Sequence, residues 1–408
     1  MARSKFTEVK PDIETFAKIK VLGVGGSGGS ALTRMVDSGL KGVEFIAINT
    51  DAQALHHVPS SKKIHIGKST TRGLGAGMDP EVGLKSAEES QEELLDNLKG
   101  ADMVFLTCGL GGGTGSGAGP MIADLARECG ALTVAVVTKP FGFEGEQRRQ
   151  IAEAALTELQ EKVDTIIVVP NDKLLQIIDK KTSLLDSFKI VDEVLKQGVQ
   201  GISDLITVPG LINVDFADVK SIMQNAGSAL MGIGTASGET RSIDAAKAAV
   251  ESPLLDLSID GAKGILFTVT GGPNLSMYEV NEAAKVITES ADQNARIIFG
   301  SVVDESMGDE VKVSVVATGF GDSARSTKKV EARARSPFGA GAQDTADIDR
   351  GGREEIEDVE VMRATARPES AGFTQKDITQ KPVDLVGEDS DENGEDLEIP
   401  AFIRKKMM

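Results

Sequence analysis

The sequence predicts an α/β protein: a mainly parallel sheet covered by helices, a long central helix, a smaller α+β domain and a disordered tail. Three observations predict it. Between residues 18 and 320, short β-branched runs alternate with longer amphipathic stretches, the pattern of helices packed on the faces of a parallel sheet. From Ser183 onward an apolar stripe recurs at three- and four-residue spacing as far as Ile206. After Gly321 that periodicity vanishes.

Taken in order, residues 1–15 are read as a flexible N-terminus and residues 16–182 as the first domain. Its strand candidates are 19–22, 43–48, 103–107, 133–137 and 165–169. Gly-rich or Asn/Asp-containing turns follow several of them, where open α/β sheets place their ligands. The central helix, 183–208, presents Leu184, Phe188, Val191, Leu195, Val199, Ile202 and Ile206 to a core. Ser183 is placed to cap it, with Asp186 answering in capping-box fashion. Such a helix runs about 35 Å, enough to cross from one domain to another.

Residues 209–320 read as the smaller α+β domain, with strands at 264–270, 295–303 and 312–317 and helices at 218–224, Arg241–Val250 and 278–289. Residues 321–395 are expected to be a disordered linker, Arg- and Lys-rich at 325–335, then polar with Gly and Pro. An acidic run from Glu388 to Glu398 precedes Ile399, Pro400, Phe402 and Ile403, with Arg404, Lys405 and Lys406 behind. Residues 396–408 thus form a short apolar peptide with a cationic end, suited to docking on a partner.

Composition narrows the function. A chain of 408 residues, 40% hydrophobic, buries a sizeable core and fits two folded domains plus extras. Neither a signal peptide nor an apolar run of about 20 residues is present, so a cytoplasmic protein without direct membrane insertion is expected. Cys108 and Cys129 make no disulfide framework and no metal-ligand spacing. His56, His57 and His65 lack ligand-like partners, so no metal site built from side chains is expected. The net charge of −19 argues against nucleic acid as a partner, since its phosphates would be repelled.

The chemistry concentrates in glycine. Gly23-Val24-Gly25-Gly26-Ser27-Gly28-Gly29 follows a strand and opens a helix, placing bare N–H groups against a phosphate. Alone it also matches the dinucleotide fingerprint, with Asn49 or Asp51 at the distance of the ribose acid, so an NAD-linked dehydrogenase is one reading. A second loop, Gly111-Gly112-Gly113-Thr114-Gly115-Ser116-Gly117, has more glycine than an ordinary turn requires, unless the backbone approaches a ligand closely. A third, Gly73-Leu74-Gly75-Ala76-Gly77, is suited to cover a terminal phosphate. Together they read as a polyphosphate cradle. It has no Gly-Lys-Ser/Thr, so backbone dipoles and a bound Mg²⁺ would neutralise the phosphates.

At 111–117 the sequence is similar to the GGGTG[ST]G signature of the tubulin/FtsZ family, the family of the bacterial cell-division GTPases. Three further segments resemble that family in the expected order: Asn49-Thr50-Asp51-Ala52-Gln53-Ala54-Leu55, Val137-Thr138-Lys139-Pro140-Phe141 and Asn213-Val214-Asp215-Phe216-Ala217-Asp218. The resemblance spans residues 18–320, and the terminal peptide adds to it.

It implies a Rossmann-like GTP-binding domain, a central helix and an activation domain, with GTP or GDP and Mg²⁺ as ligands. Gly25, Gly26, Ser27, Gly28, Gly29, Ser30, Asn49, Ala76, Gly77, Gly113, Thr114 and Gly115 would then line the nucleotide, chiefly its phosphates. Glu144 and Arg148 would reach the ribose, and Phe188 and Asp192 the guanine, whose N1 and N2 hydrogens a carboxylate accepts.

By spacing alone, Asp215 and Asp218 fit a helix cap as well as chemistry. The resemblance implies that they enter the next subunit's pocket and polarise the attacking water, assisted by Asn213. It also implies a head-to-tail homopolymer and a division ring at midcell beneath the inner membrane. Membrane-tethering and regulatory division proteins would bind residues 396–406. A non-hydrolysing adaptor that binds nucleotide only to fold is the other alternative.

Overall fold

The computed structural model describes residues 17–175, 182–208, 210–212, 214–252, 259 and 261–320, all within one compact unit. The expected N-terminal segment 1–15, linker 321–395, terminal peptide 396–408 and Asn213 lie outside the described residues. Ten strands carry the fold: β1 (Ile19–Val24), β2 (Val43–Asn49), β3 (Lys62–His65), β4 (Met103–Gly109) and β5 (Leu132–Lys139), then β6 (Thr165–Pro170), β7 (Gly227–Ser237), β8 (Gly264–Gly271), β9 (Arg296–Val303) and β10 (Glu310–Thr318). They join one sheet in the order β3-β2-β1-β4-β5-β6-β7-β10-β8-β9. Pairing is parallel from β3 through β7, antiparallel on both sides of β10, and parallel again between β8 and β9.

Both faces of the parallel part are covered, so its strands read as near-continuous apolar runs. Side chains alternate between two layers: Val21, Phe105, Val134 and Val136 face one core, and Leu22, Leu106, Ala135 and Val137 the other. The central helix Leu184–Thr207 lies in the first layer through Val191, Leu195, Val199 and Ile202. The same layer takes in Val219, Ile222, Leu266 and Val316, so one continuous core ties the first half of the chain to the second. At 1.5 Å per residue the helix is about 36 Å long. Ser183 accepts the Asp186 N–H as a cap, but the Asp186 carboxylate takes the Ser183 hydroxyl at 2.6 Å instead of closing a capping box.

The strand pattern does not announce β7. Its Gly227-Ser228-Ala229-Leu230-Met231-Gly232-Ile233-Gly234 opening is rich in residues that weaken strands. Packing explains Gly234: a Cβ there would lie 2.1 Å from the Ala245 carbonyl oxygen, because the helix Arg241–Val250 rests directly on the strand. β7 begins against β6 and continues against β10, which makes one sheet of the two halves.

Candidate functional site

Adjacent parallel strands β1 and β4 stand in register, with Val24 opposite Cys108, and each runs into a glycine loop and a helix. The helices Gly25–Asp37 and Gly113–Glu128 therefore begin side by side at the carboxyl edge of the sheet. Neither has a side-chain cap, so both leave first-turn N–H groups free and present the positive ends of their dipoles to one cleft. Gly25 is left-handed at φ 75°, and a Cβ on it would sit 3.3 Å from the Gly115 nitrogen. Glycine is what lets the two loops approach this closely.

The second loop is held from below. Ser116 accepts the Gly111 N–H at 2.9 Å, and the Thr114 hydroxyl meets that of Thr50 at 2.7 Å in a buried contact. The third loop is tied to the same Thr50, whose carbonyl accepts Gly75 N–H and the Thr71 hydroxyl. Ala76 lies against Gly113, where an added Cβ would come within 2.8 Å of it.

A cleft of about 410 Å³ opens over these loops. Gly25, Gly26, Ser27, Ser30, Gly113, Thr114, Gly115, Glu144, Arg148, Phe188 and Asp192 line it. A second recess of about 810 Å³ shares Gly25, Gly26, Ser30, Phe188 and Asp192 and is walled further by Gly29 and Asn49. Gly28 faces elsewhere: a Cβ on it would meet the Thr107 carbonyl oxygen at 2.5 Å, so its part is to seat the helix on β4. Ala76 and Gly77 border neither lining, and Asp215 and Asp218 do not either.

At the far end of the cleft, Arg148 donates to Glu144 at 2.5 Å, and the other oxygen of Glu144 accepts the Phe141 N–H at 2.9 Å. Phe188, 41% exposed, meets Phe141 edge-on at 5.5 Å and leaves a ring face free. Asp192, on the central helix one turn beyond it, is 15% exposed and stands 3.7 Å from the Arg34 guanidinium. Burial pushes its carboxyl up to about 6, against the opposing pull of Arg34.

Asn171 was not among the expected residues. It is 5% exposed, lines the cleft just after β6, and its side-chain oxygen has no hydrogen-bond partner. A buried, unpaired acceptor in a cleft is suited to a ligand donor. Its place directly after a strand, opening the short helix Asn171–Leu174, is the signal that could have found it.

Asp215 caps the helix Phe216–Met223, accepting the Asp218 N–H at 2.8 Å, and both carboxylates are exposed. The far end of this helix docks on the amino ends of β5 and β6, whereas the cleft lies at the carboxyl ends.

Residues 18–179 match the Tubulin/FtsZ family, GTPase domain, and residues 227–321 match the FtsZ family, C-terminal domain. An empty FtsZ dimer from M. jannaschii is 47% identical, with 76% of this chain and 90% of that chain covered and a TM-score of 0.73. The chain belongs to the tubulin/FtsZ family. It is a GTPase of that family. A GTPγS-bound CetZ2 protofilament from Haloferax volcanii, 23% identical over 77% of this chain and 99% of that one, shares the fold with a TM-score of 0.63. M. jannaschii is an archaeon, so these likenesses establish the family and not a bacterial origin. With the second glycine loop serving the same cleft and the family model matching residues 18–179, the dehydrogenase reading of the first loop falls away.

Proposed function

We propose that this GTPase assembles head to tail into filaments and hydrolyses GTP at the contact between subunits. Asp215 and Asp218 of one subunit, assisted by Asn213, enter the next subunit's cleft and orient and polarise the attacking water. One observation carries this reading: the two acids that line the first cleft, Glu144 and Asp192, are already engaged. Glu144 holds Arg148 and the Phe141 N–H, Asp192 holds Arg34 at the base end, and Asp51 and Asp79 cap their own helices. Asp218 is exposed, outside that cleft, with a carboxylate that caps nothing.

In this reading the Gly25 and Gly113 loops hold the phosphates, Glu144 and Arg148 meet the ribose, and Phe188 stacks on guanine. Asp192 and Asn171 supply acceptors for the N1 and N2 hydrogens. Among the described residues no cluster of three His, Cys, Asp or Glu side chains is disposed to hold a metal. The hydroxyls of Ser27 and Thr114 line the cleft, and as hard oxygen donors they would help hold a Mg²⁺ carried in by the phosphates. When bound, it supplies positive charge to the phosphate oxygens.

A contact between two different faces is heterologous and propagates as an open filament. The filament forms the division ring at midcell beneath the inner membrane, and residues 396–406 dock on membrane-tethering and regulatory division proteins. The M. jannaschii dimer and the CetZ2 protofilament are self-associated relatives that support assembly.

The test is turnover against protein concentration. GTPase activity per subunit is expected near zero below a threshold and steep above it. Asp218→Ala is expected to bind GTP and lose at least about a hundredfold in hydrolysis. Full activity in that variant, or in dilute monomer, overturns the shared site.

A further inference from the structure

The segment carrying Asp215 and Asp218 is fastened at both ends. Where it begins, the Leu211 N–H donates to the Ser301 carbonyl at 2.9 Å and the Ser301 N–H to the Ile212 carbonyl at 3.1 Å, joining the loop to the outermost strand, β9. Where it ends, the Met223 carbonyl accepts the Thr165 hydroxyl. The Asn225 N–H reaches Asp164 Oδ1 at 3.3 Å, and the Gly227 N–H reaches the Asp164 carbonyl at 2.9 Å. Asp164 is 5% exposed and is itself fixed by the Thr133 N–H at 3.0 Å.

Asn225 stands in the left-handed region at φ 51°, one residue past the helix cap Gln224. Glycine serves equally well at such a position, so the backbone alone does not call for a side chain. Yet the Asn225 side-chain oxygen accepts from the Arg127 guanidinium at 2.6 Å, across 98 positions of sequence. Arg127 lies in the last turn of Gly113–Glu128, the helix whose first turn lines the phosphate cradle. The same guanidinium is 4.0 Å from Asp164 and donates to the Glu161 carbonyl at 3.4 Å.

We propose that Asn225, gripped by Arg127, is a positioning residue for hydrolysis: it sets the tilt of the acid-bearing helix against the helix that cradles the same subunit's nucleotide. The inference rests on the shared site proposed above. The acid-bearing helix has 8 residues and is about 12 Å long, so a pivot of about 5° at its end moves the first turn by about 1 Å. A misplacement of about 1 Å at a reacting centre is enough to slow catalysis by about ten- to a hundredfold.

Two variants of one residue test this. Asn225→Gly keeps the left-handed backbone and removes the acceptor; Asn225→Asp keeps both. In the full chain, Asn225→Gly is expected to bind GDP as the parent does and to sediment with GTP. Its turnover per sedimented subunit is expected to fall about tenfold, with Arg127→Met falling alike and Asn225→Asp within about twofold of the parent. Parental turnover in Asn225→Gly beside an inactive Asp218→Ala overturns the positioning role and leaves the shared site standing. Parental turnover in Asp218→Ala overturns both. A parallel loss of GDP affinity, or no recovery in Asn225→Asp, marks a merely structural contact and also overturns the proposal.

Discussion

Lowering the pH from 7 to 5 is expected to weaken GDP binding about tenfold through one carboxyl, Asp192. Burial raises this group from 3.8 to about 6, and Arg34 at 3.7 Å only partly opposes the shift. A rise of about two units favours the neutral form by about 3 kcal/mol, so the free protein gains stability as pH falls through 6. Nucleotide binding has the opposite sign. Guanine offers donors at N1 and N2, which a carboxylate accepts and a protonated acid accepts poorly. At pH 5 about nine-tenths of the group is protonated, and the about tenfold loss follows.

Asp192→Asn removes the titration and is expected to lower affinity at pH 7 by about 1.5–3 kcal/mol, the worth of a hydrogen bond to a charged group. Calorimetric titration of GDP into dilute, unassembled protein at several pH values measures both effects. The β-phosphate titrates alike with either protein, so the difference between the two profiles isolates the carboxyl. Parallel pH profiles for parent and Asp192→Asn would refute the assignment of Asp192 to guanine.

Two further outcomes follow from packing. Gly113→Ala drives a Cβ to 2.8 Å from Ala76 and 2.9 Å from the Asp79 backbone; the strain is expected to cost about 1–3 kcal/mol in urea unfolding and to weaken GDP binding. Arg241, 7% exposed, binds Glu279 through two nitrogens and reaches the Asp309 carbonyl. Its hydrogen bonds are the largest cause holding the Glu279 carboxyl down to about 2. Arg241→Ala leaves that half-buried acid with only its Ser276 donors and is expected to destabilise the fold by about 1–3 kcal/mol at pH 7. The depressed carboxyl contributes stability above its unfolded value of 4.5, lost as pH falls toward 2, so the gap between parent and variant should narrow there.

Much of the site was legible because its signals are local. The first two glycine loops, the strands before them and the caps Ser183 and Asp215 each work within a few residues of chain and stand where they were expected, whereas the third glycine loop borders neither recess and the Ser183–Asp186 capping box does not close. Asp215 fulfils the bland reading too, since it does cap its helix; only the exposure of both acids away from the cleft favours the catalytic one. Gly28 shows the converse limit. Inside a phosphate-binding motif, it spends its missing side chain on contact with β4, a neighbour the motif does not name.

By itself the sequence determined the class of fold, the glycine loops that follow β1 and β4 and the length and buried stripe of the central helix, because spacing and turn chemistry repeat at short range. Tertiary structure decided the rest. It joined the two halves through the glycine-rich β7, aimed Asn171 into the cleft, buried Asp192 beside Arg34 and brought Arg127 to Asn225. Those pairings depend on strand order and register, which unite residues tens of positions apart and leave no periodic trace in the chain.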